Sequence, residues 1–506
     1  MDDHMTGDES TVTLFLDYAG QFAQAVDDSE GRSGALALLA EQYAQAGELD
    51  AAADTAERIG DSFVKDGALA NVAARAVELG DDQFAEELIG AIDDPGLYAL
   101  ALGEMAVKYA EAGEFDRAVE AAGELDDDAP TLSRIAMLYA GAGEFERAAE
   151  VCDSIEDPAV RSATYCGLTA GALRVGLHEE AAELLSKADA AAAEIESSQS
   201  GVYALIEIAS RYKELGEDER AVEALDGARR LCDDFDGTPH AGMAKSFAKD
   251  EALADLADAF AGSGRFDLAE QVADEIENAF RFASALIKLA LAYHAVGRGD
   301  EASENLVAAR EAVLEEEVVG DFGVIERDRL LAELAAGYLT AGDAEEALRV
   351  AGMMSLEAQR HEALKELATR CAHSGRDGMA LRAAGMIEDT FARALCRLEL
   401  ADAFAAAGQP ELSERAASGA LADAEAIEHA YAKAVAFMEA ASSSARRGGA
   451  PSARNLLRRS LVAVSFVRDN YHRAVAIISL ASRYREFGLE ASATELEILE
   501  EMAPDA

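Results

Sequence analysis

The chain has 506 residues, half of them hydrophobic, with 98 acidic against 44 basic side chains and a net charge of -54. So large an apolar fraction excludes a disordered acidic tail, and so negative a surface disfavours nucleic acid as a partner, because it repels a phosphate backbone over any extended footprint. Only 7 residues are proline, which leaves helix as the expectation along almost the whole length.

The first residues, MDDHMTGDES, have neither the basic start nor the apolar run of a secretion signal. Ser10 is placed to cap a helix over 11–26 that carries Phe15, Tyr18 and Phe22 on one side. Residues 1–32 are therefore expected to form an N-terminal capping helix that covers the apolar face of the first repeat.

From residue 33 onward the chain repeats itself. Thirteen glycines recur with similar neighbours: Gly47, Gly80, Gly113, Gly143, Gly176, Gly216, Gly264, Gly297, Gly342, Gly375, Gly408, Gly448 and Gly488. Five residues after each stands an alanine, except at Ser413, and seven before each stands another, except at Thr169. Four before, the chain places Tyr43, Tyr109, Tyr139, Tyr212, Phe260, Tyr293, Tyr338, Phe404 or Tyr484. In the unit from Ala106 to Ala118, Ala106 and Tyr109 share one helix face and Gly113 ends that helix in a left-handed turn. Glu114 and Asp116 favour the positive start of a second helix, and Ala118 lets that helix lie close against the first. Further on, Ala122 and Leu125 carry the apolar stripe of the second helix, with Ile59, Ile92, Ile155, Ile276, Met354 and Ile387 at the equivalent position elsewhere.

Intervals between glycines are 33, 33, 30, 33, 40, 48, 33, 45, 33, 33, 40 and 40 residues. An excess of seven is two helical turns and lengthens a hairpin without losing its packing phase. The longest interval contains Gly237, Pro239 and Gly242, and the next longest Gly320 and Gly323 around Asp321 and Phe322, so loop insertions are expected near 233–243 and 318–324. Residues 33–506 otherwise read as one continuous helical repeat solenoid. The last helix is expected over 491–502.

Five scattered cysteines read as small core residues of a reducing cytoplasm, and no stretch approaches the ~20 apolar residues of a membrane span. From Ala440 to Arg485 the charge reverses: nine arginines, no lysine, and Asp469 as the sole acid. Arg447, Arg454, Arg458, Arg459, Arg473 and Arg485 are the candidate partner-binding residues, since guanidinium groups pair with carboxylates and phosphates in two-pronged fashion. The stretch suits an acidic protein or another copy of the chain, and equally the acidic residues of neighbouring repeats; nucleic acid fits the rest of the surface poorly.

The order small residue, aromatic, glycine, alanine, seen in Ala136, Tyr139, Gly143 and Ala148 and again in Ala290, Tyr293, Gly297 and Ala302, resembles the tetratricopeptide repeat family. The resemblance covers roughly residues 33–500 but lacks that family's late proline and early tryptophan. It implies an all-α fold, a right-handed superhelix of about thirteen antiparallel hairpins, with protein or peptide partners in a concave groove of first helices. The asparagine of the family's carboxylate clamp falls six residues before each marker, where this chain has Glu41, Met137, Ser210, Asp258, Thr369 and Asp402 among others and never asparagine. Lys365 matches the clamp lysine without its companion. The groove is instead expected to carry small and apolar residues, including Met137, Ile206, Ile287, Leu291 and Leu398. Acid-rich, lysine-poor composition, with nine lysines in all, resembles proteins from salt-accumulating halophiles.

No catalytic residue, cofactor or metal is implied. His361 and Cys371 lie ten residues apart on one expected helix, about 15 Å along its axis, too far for one metal shell. Two functions remain open: a non-enzymatic cytoplasmic scaffold for protein partners, or a regulatory module that takes a peptide or small ligand in its groove.

Overall fold

The computed structural model describes residues 11–233, 245–316 and 320–502; the expected insertion at 233–243 lies almost entirely outside them. Those residues form twenty-seven α-helices and no strand. After α1 (Thr11–Gln24), helices pair as consecutive hairpins. They are α2 (Ser29–Ala46) with α3 (Leu49–Glu57), α4 (Ser62–Glu78) with α5 (Asp82–Ile89), α6 (Pro95–Glu111) followed by α7 (Phe115–Ala122), and α8 (Ala129–Gly141) with α9 (Phe145–Asp153). Next come α10 (Pro158–Arg174) with α11 (His178–Ala192), α12 (Ser198–Leu215) with α13 (Asp218–Asp233), α14 (Lys245–Gly262) with α15 (Phe266–Ala273), and α16 (Ala279–Ala295) with α17 (Gly299–Glu315). The series continues with α18 (Gly320–Thr340) and α19 (Ala344–Ala351), α20 (Glu357–His373) and α21 (Asp377–Met386), α22 (Thr390–Ala406) and α23 (Pro410–Ala426), and α24 (Ala430–Arg446) and α25 (Ala450–Val464). Two helices close the chain, α26 (Asn470–Glu486) and α27 (Ala493–Met502).

Every marker glycine has a positive φ, from 58° at Gly488 to 101° at Gly342, and most would meet nothing if given a Cβ. Backbone conformation, not crowding, therefore selects glycine there. Second helices in the ordinary intervals have 8 to 10 residues, as in α5 and α21, whereas α11, α23 and α25 have 15 to 17. The seven-residue excess is indeed helix. At the expected 318–324 insertion, however, Gly320 has a φ of 71° and α18 starts on it, so residues 320–324 are helical and not loop.

The chain divides into two compact units, one of residues 1–108 and 364–506 and the other of residues 109–363. In the second, two of the repeated tyrosines tie a first helix to the preceding second helix, Tyr212 donating to Asp189 and Tyr293 to Glu270, and Tyr165, outside the repeat position on α10, donates likewise to Asp153 on α9. Phe266 stacks on Tyr293 at 4.4 Å between ring centroids. Burial and these acceptors raise the tyrosine hydroxyls, that of Tyr293 to about 12.

In the first unit the same bond recurs where no marker precedes it: Tyr43 on α2 donates to Asp17 on α1 at 2.6 Å. α1 also packs along α26, with Phe15 4.9 Å from Tyr484 between ring centroids. Asn470 donates to the Ala25 carbonyl at 2.8 Å, and the Ala491 amide to Thr11 Oγ1 at 3.1 Å. α1 thus packs against α2 of the first repeat and also serves as the second helix of the last one. α27 packs beside α25 instead. The alanine rule registers the exchange: Ala52, Ala302 and Ala453 are buried, while Ala493 on α27 is exposed.

Candidate partner-binding surface

The six candidate arginines do not gather into one patch. Arg447 reaches Asp402 on α22 at 3.4 Å, beside Arg446, which bonds the same carboxylate at 2.7 Å. Arg454 donates to the Glu490 carbonyl at 2.8 Å and lies 3.8 Å from buried Glu495. Arg485 spans to α2, bonding Gln45 Oε1 at 2.8 Å and Gln42 Oε1 at 3.2 Å. Neighbouring helices thus occupy much of the basic stretch.

Arg473 has a different task. Its Nε donates to the Val467 carbonyl at 3.0 Å, and its guanidinium lies over the Phe22 ring, 5.0 Å from the centroid. Burial draws its pKa below the ordinary arginine value. Four other arginines make the same bond six residues back: Arg32 to Val26, Arg161 to Ile155, Arg360 to Met354 and Arg393 to Ile387. All five stand fifteen residues before a marker glycine. That shared offset is the sequence signal that separates Arg473 from a free surface cation.

Arg458 and Arg459 remain together, on the outer helix α25, at a groove of about 430 Å³ lined by Lys433, Phe437, Asn455, Arg458, Arg459, Val462, Ala463, Phe466 and Glu425. Arg459 is held in place by Glu425 at 2.6 Å and by the Phe437 ring, 4.2 Å away. Lys433 and Arg458 have no ion pair among the described residues. Beside them Phe466 is 70% exposed and Val462 42% exposed. Cations left over in a chain of net charge -54, next to a bare aromatic ring, form a surface complementary to an acidic and partly apolar segment.

A second cavity, of about 440 Å³, lies between first helices α12 and α14 in the unit of residues 109–363. Its lining comprises Tyr203, Ile206, Ala209, Ser210, Lys213, Asp255, Asp258, Ala259, Gly262 and Ser263. Ile206, expected in the groove, is there, as are Ser210 and Asp258 from the position six before the marker. Asp255 is paired with Lys288 at 2.6 Å. The surrounding walls strip water from Asp258 and, with Asp255 adding repulsion against the pull of Lys288, raise its carboxyl above the ordinary range. Burial pushes the Tyr203 hydroxyl up to about 12.

Lys365, the clamp-like lysine, is paired with Glu399 at 2.9 Å. All five cysteines are buried, and burial raises the Cys152 thiol to about 12, which suits packing and not nucleophilic attack. Among the described residues no group of His, Cys, Asp and Glu could hold a metal ion, and no helix is long and apolar enough to cross a membrane.

No protein-family model matches this chain, nor does any curated protein. Among solved structures, it is similar to a kinesin light chain of TPR-like repeats from Podosopora anserina, at 21% identity over 37% of this chain and 94% of that one, with a TM-score of 0.26. Ton1535 from Thermococcus onnurineus NA1 matches at 20% identity over 66% and 98%, with a TM-score of 0.23. A Rap protein complexed with competence and sporulation factor matches at 15% identity over 67% and 99%, with a TM-score of 0.28. Likenesses this low carry no argument about activity. The hairpin architecture stands on the helices themselves.

Proposed function

We propose that the chain is a non-enzymatic scaffold or adaptor that holds an acidic protein partner in the α24–α25 groove. One observation carries the reading: Lys433 and Arg458 stand without an ion pair among the described residues, beside the exposed Phe466 ring, in a strongly acidic chain. Unspent positive charge gives orientation and encounter rate, and the aromatic ring gives a desolvated anchor. The excess of acid over lysine further supports a working place in a salt-rich cytoplasm, where a hydrated carboxylate surface is tolerable.

A labelled peptide Asp-Asp-Phe-Asp-Asp serves as the probe. The unaltered protein should bind it, and the double substitution Lys433→Gln with Arg458→Gln should weaken binding at least about tenfold, with circular dichroism unchanged. Replacing the peptide phenylalanine by alanine should weaken it too. Equal binding by both proteins would remove the groove from the function.

A further inference from the structure

The cavity between α12 and α14 carries two opposite charges that no hydrogen bond or ion pair among the described residues engages. Asp255 is spent on Lys288. Asp258 and Lys213 have no hydrogen bond or ion pair among the described residues, either with each other or with a third group, although both line the one cavity. On the same helix as Lys213, Arg211 is by contrast paired with Glu214 at 2.6 Å. The rest of the lining is apolar or small, with Ile206, Ala209, Ser210, Ala259, Gly262 and Ser263 beside the Tyr203 ring.

Position along the helices separates the two charges. Lys213 stands three residues before its marker and Asp258 six before its own, so in these corresponding first helices they are offset by about one turn, ~4.5 Å along the axis. An anion would sit at Lys213, a cation at Asp258, and an apolar group against Ile206 and Tyr203. A volume of about 440 Å³ suits a molecule from amino-acid to tripeptide size.

We propose that this cavity binds a small zwitterion with an apolar side chain, a free amino acid or a short peptide, its carboxylate on Lys213 and its ammonium group on Asp258. Raised by its surroundings, the Asp258 carboxyl gains more from a bound cation than a fully hydrated carboxylate would. The site is in a different unit from the α24–α25 groove and does not depend on it.

Titration calorimetry on the whole chain, at several salt concentrations, tests the assignment with four probes: L-leucine, tri-leucine, isopentylamine and 4-methylpentanoate. L-leucine or tri-leucine should bind, and the stronger of the two identifies the ligand as amino acid or peptide. Each one-ended analogue should bind at least about tenfold more weakly than the zwitterion. Lys213→Met should abolish the advantage of L-leucine over isopentylamine, and Asp258→Asn its advantage over 4-methylpentanoate. Neither side chain makes a hydrogen bond or ion pair among the described residues, so the fold should survive, which circular dichroism checks. The proposal fails if neither zwitterion binds, if a one-ended analogue binds equally well, or if both substitutions leave the preferences unchanged. None of these results would bear on the acidic peptide and its groove.

Discussion

Arg473 shows how one side chain can belong to two patterns at once. As one of nine arginines in a basic run it reads as a surface cation; as the residue fifteen before Gly488 it belongs to the set that bonds the chain reversal before five of the repeats. Local charge is the louder signal in a sequence, and the periodic one emerges only when Arg32, Arg161, Arg360 and Arg393 are set beside it. Arg473→Met should cost about 1–2 kcal/mol of stability, because the buried Val467 carbonyl loses a charged donor, while binding of the acidic peptide stays unchanged. Denaturant melts and the peptide titration check both halves. Glu326 offers a test by pH. Arg329 bonds its carboxylate at 2.6 Å, Arg281 lies 3.3 Å away, and the arginines hold its pKa below the ordinary value despite burial. A folded pKa below the unfolded one means stability that is present above the unfolded value and lost as pH falls through the folded one. Glu326→Gln should therefore lower stability near neutrality and flatten its decline on the acid side, as denaturant titrations across the carboxylate range would show.

Between helices, the alanine five residues after the marker decides how close a hairpin can be. Ala302 is fully buried where α17 meets α16. Ala302→Leu should force that contact apart at about 1–3 kcal/mol, whereas Ala493→Leu, at an exposed place on α27, should change almost nothing. Thermal melts of the two variants make the comparison, and equal damage would mean that the contact face is misassigned. Ser413 is buried like its alanine counterparts and donates to the Ala401 carbonyl at 2.8 Å. Ser413→Ala should stay within about 1 kcal/mol, since it trades one hydrogen bond for the ordinary methyl contact. Hairpin number, turn positions and the long second helices were all legible, because glycine, alanine and interval length each report a local constraint. The start of α18 was not. Gly320, Asp321 and Gly323 have the composition of a loop, yet Gly320 takes the left-handed conformation at the boundary and Asp321 sits favourably in the first turn. The groove at Phe466 was legible only in part: the sequence shows Arg458 and Arg459 but not which arginines their neighbours consume.

Across the full chain, two long-range features remain: its charge and the meeting of α1 with α26. At -54, carboxylate repulsion works against compactness and weakens as salt screens it. The thermal midpoint should fall as salt drops from molar to about 0.1 M, and a flat profile by circular dichroism would dissociate the acidic surface from any need for salt. The helix meeting was hidden from a pattern search because α1 precedes the first marker and its partner lies more than 440 residues onward, as in the bond from Asn470 to Ala25. A trace is nevertheless present: Val26 and Arg32 form the same junction as Val467 and Arg473. Ala493 also satisfies the alanine spacing, so the sequence makes α27 look like the partner of α26. Phe15 is fully buried against Tyr484, and Phe15→Ala should cost about 3–5 kcal/mol. More telling is the comparison of two truncations. Removing residues 11–24 strips α26 and α2 together, so hydrogen exchange should accelerate in both helices. Removing residues 493–502 takes away chiefly the buried side chains of Leu499, Met502 and Glu495, and should leave the amides of α2 protected. If loss of α27 opened α26 more than loss of α1 did, the last hairpin would be built from consecutive helices after all.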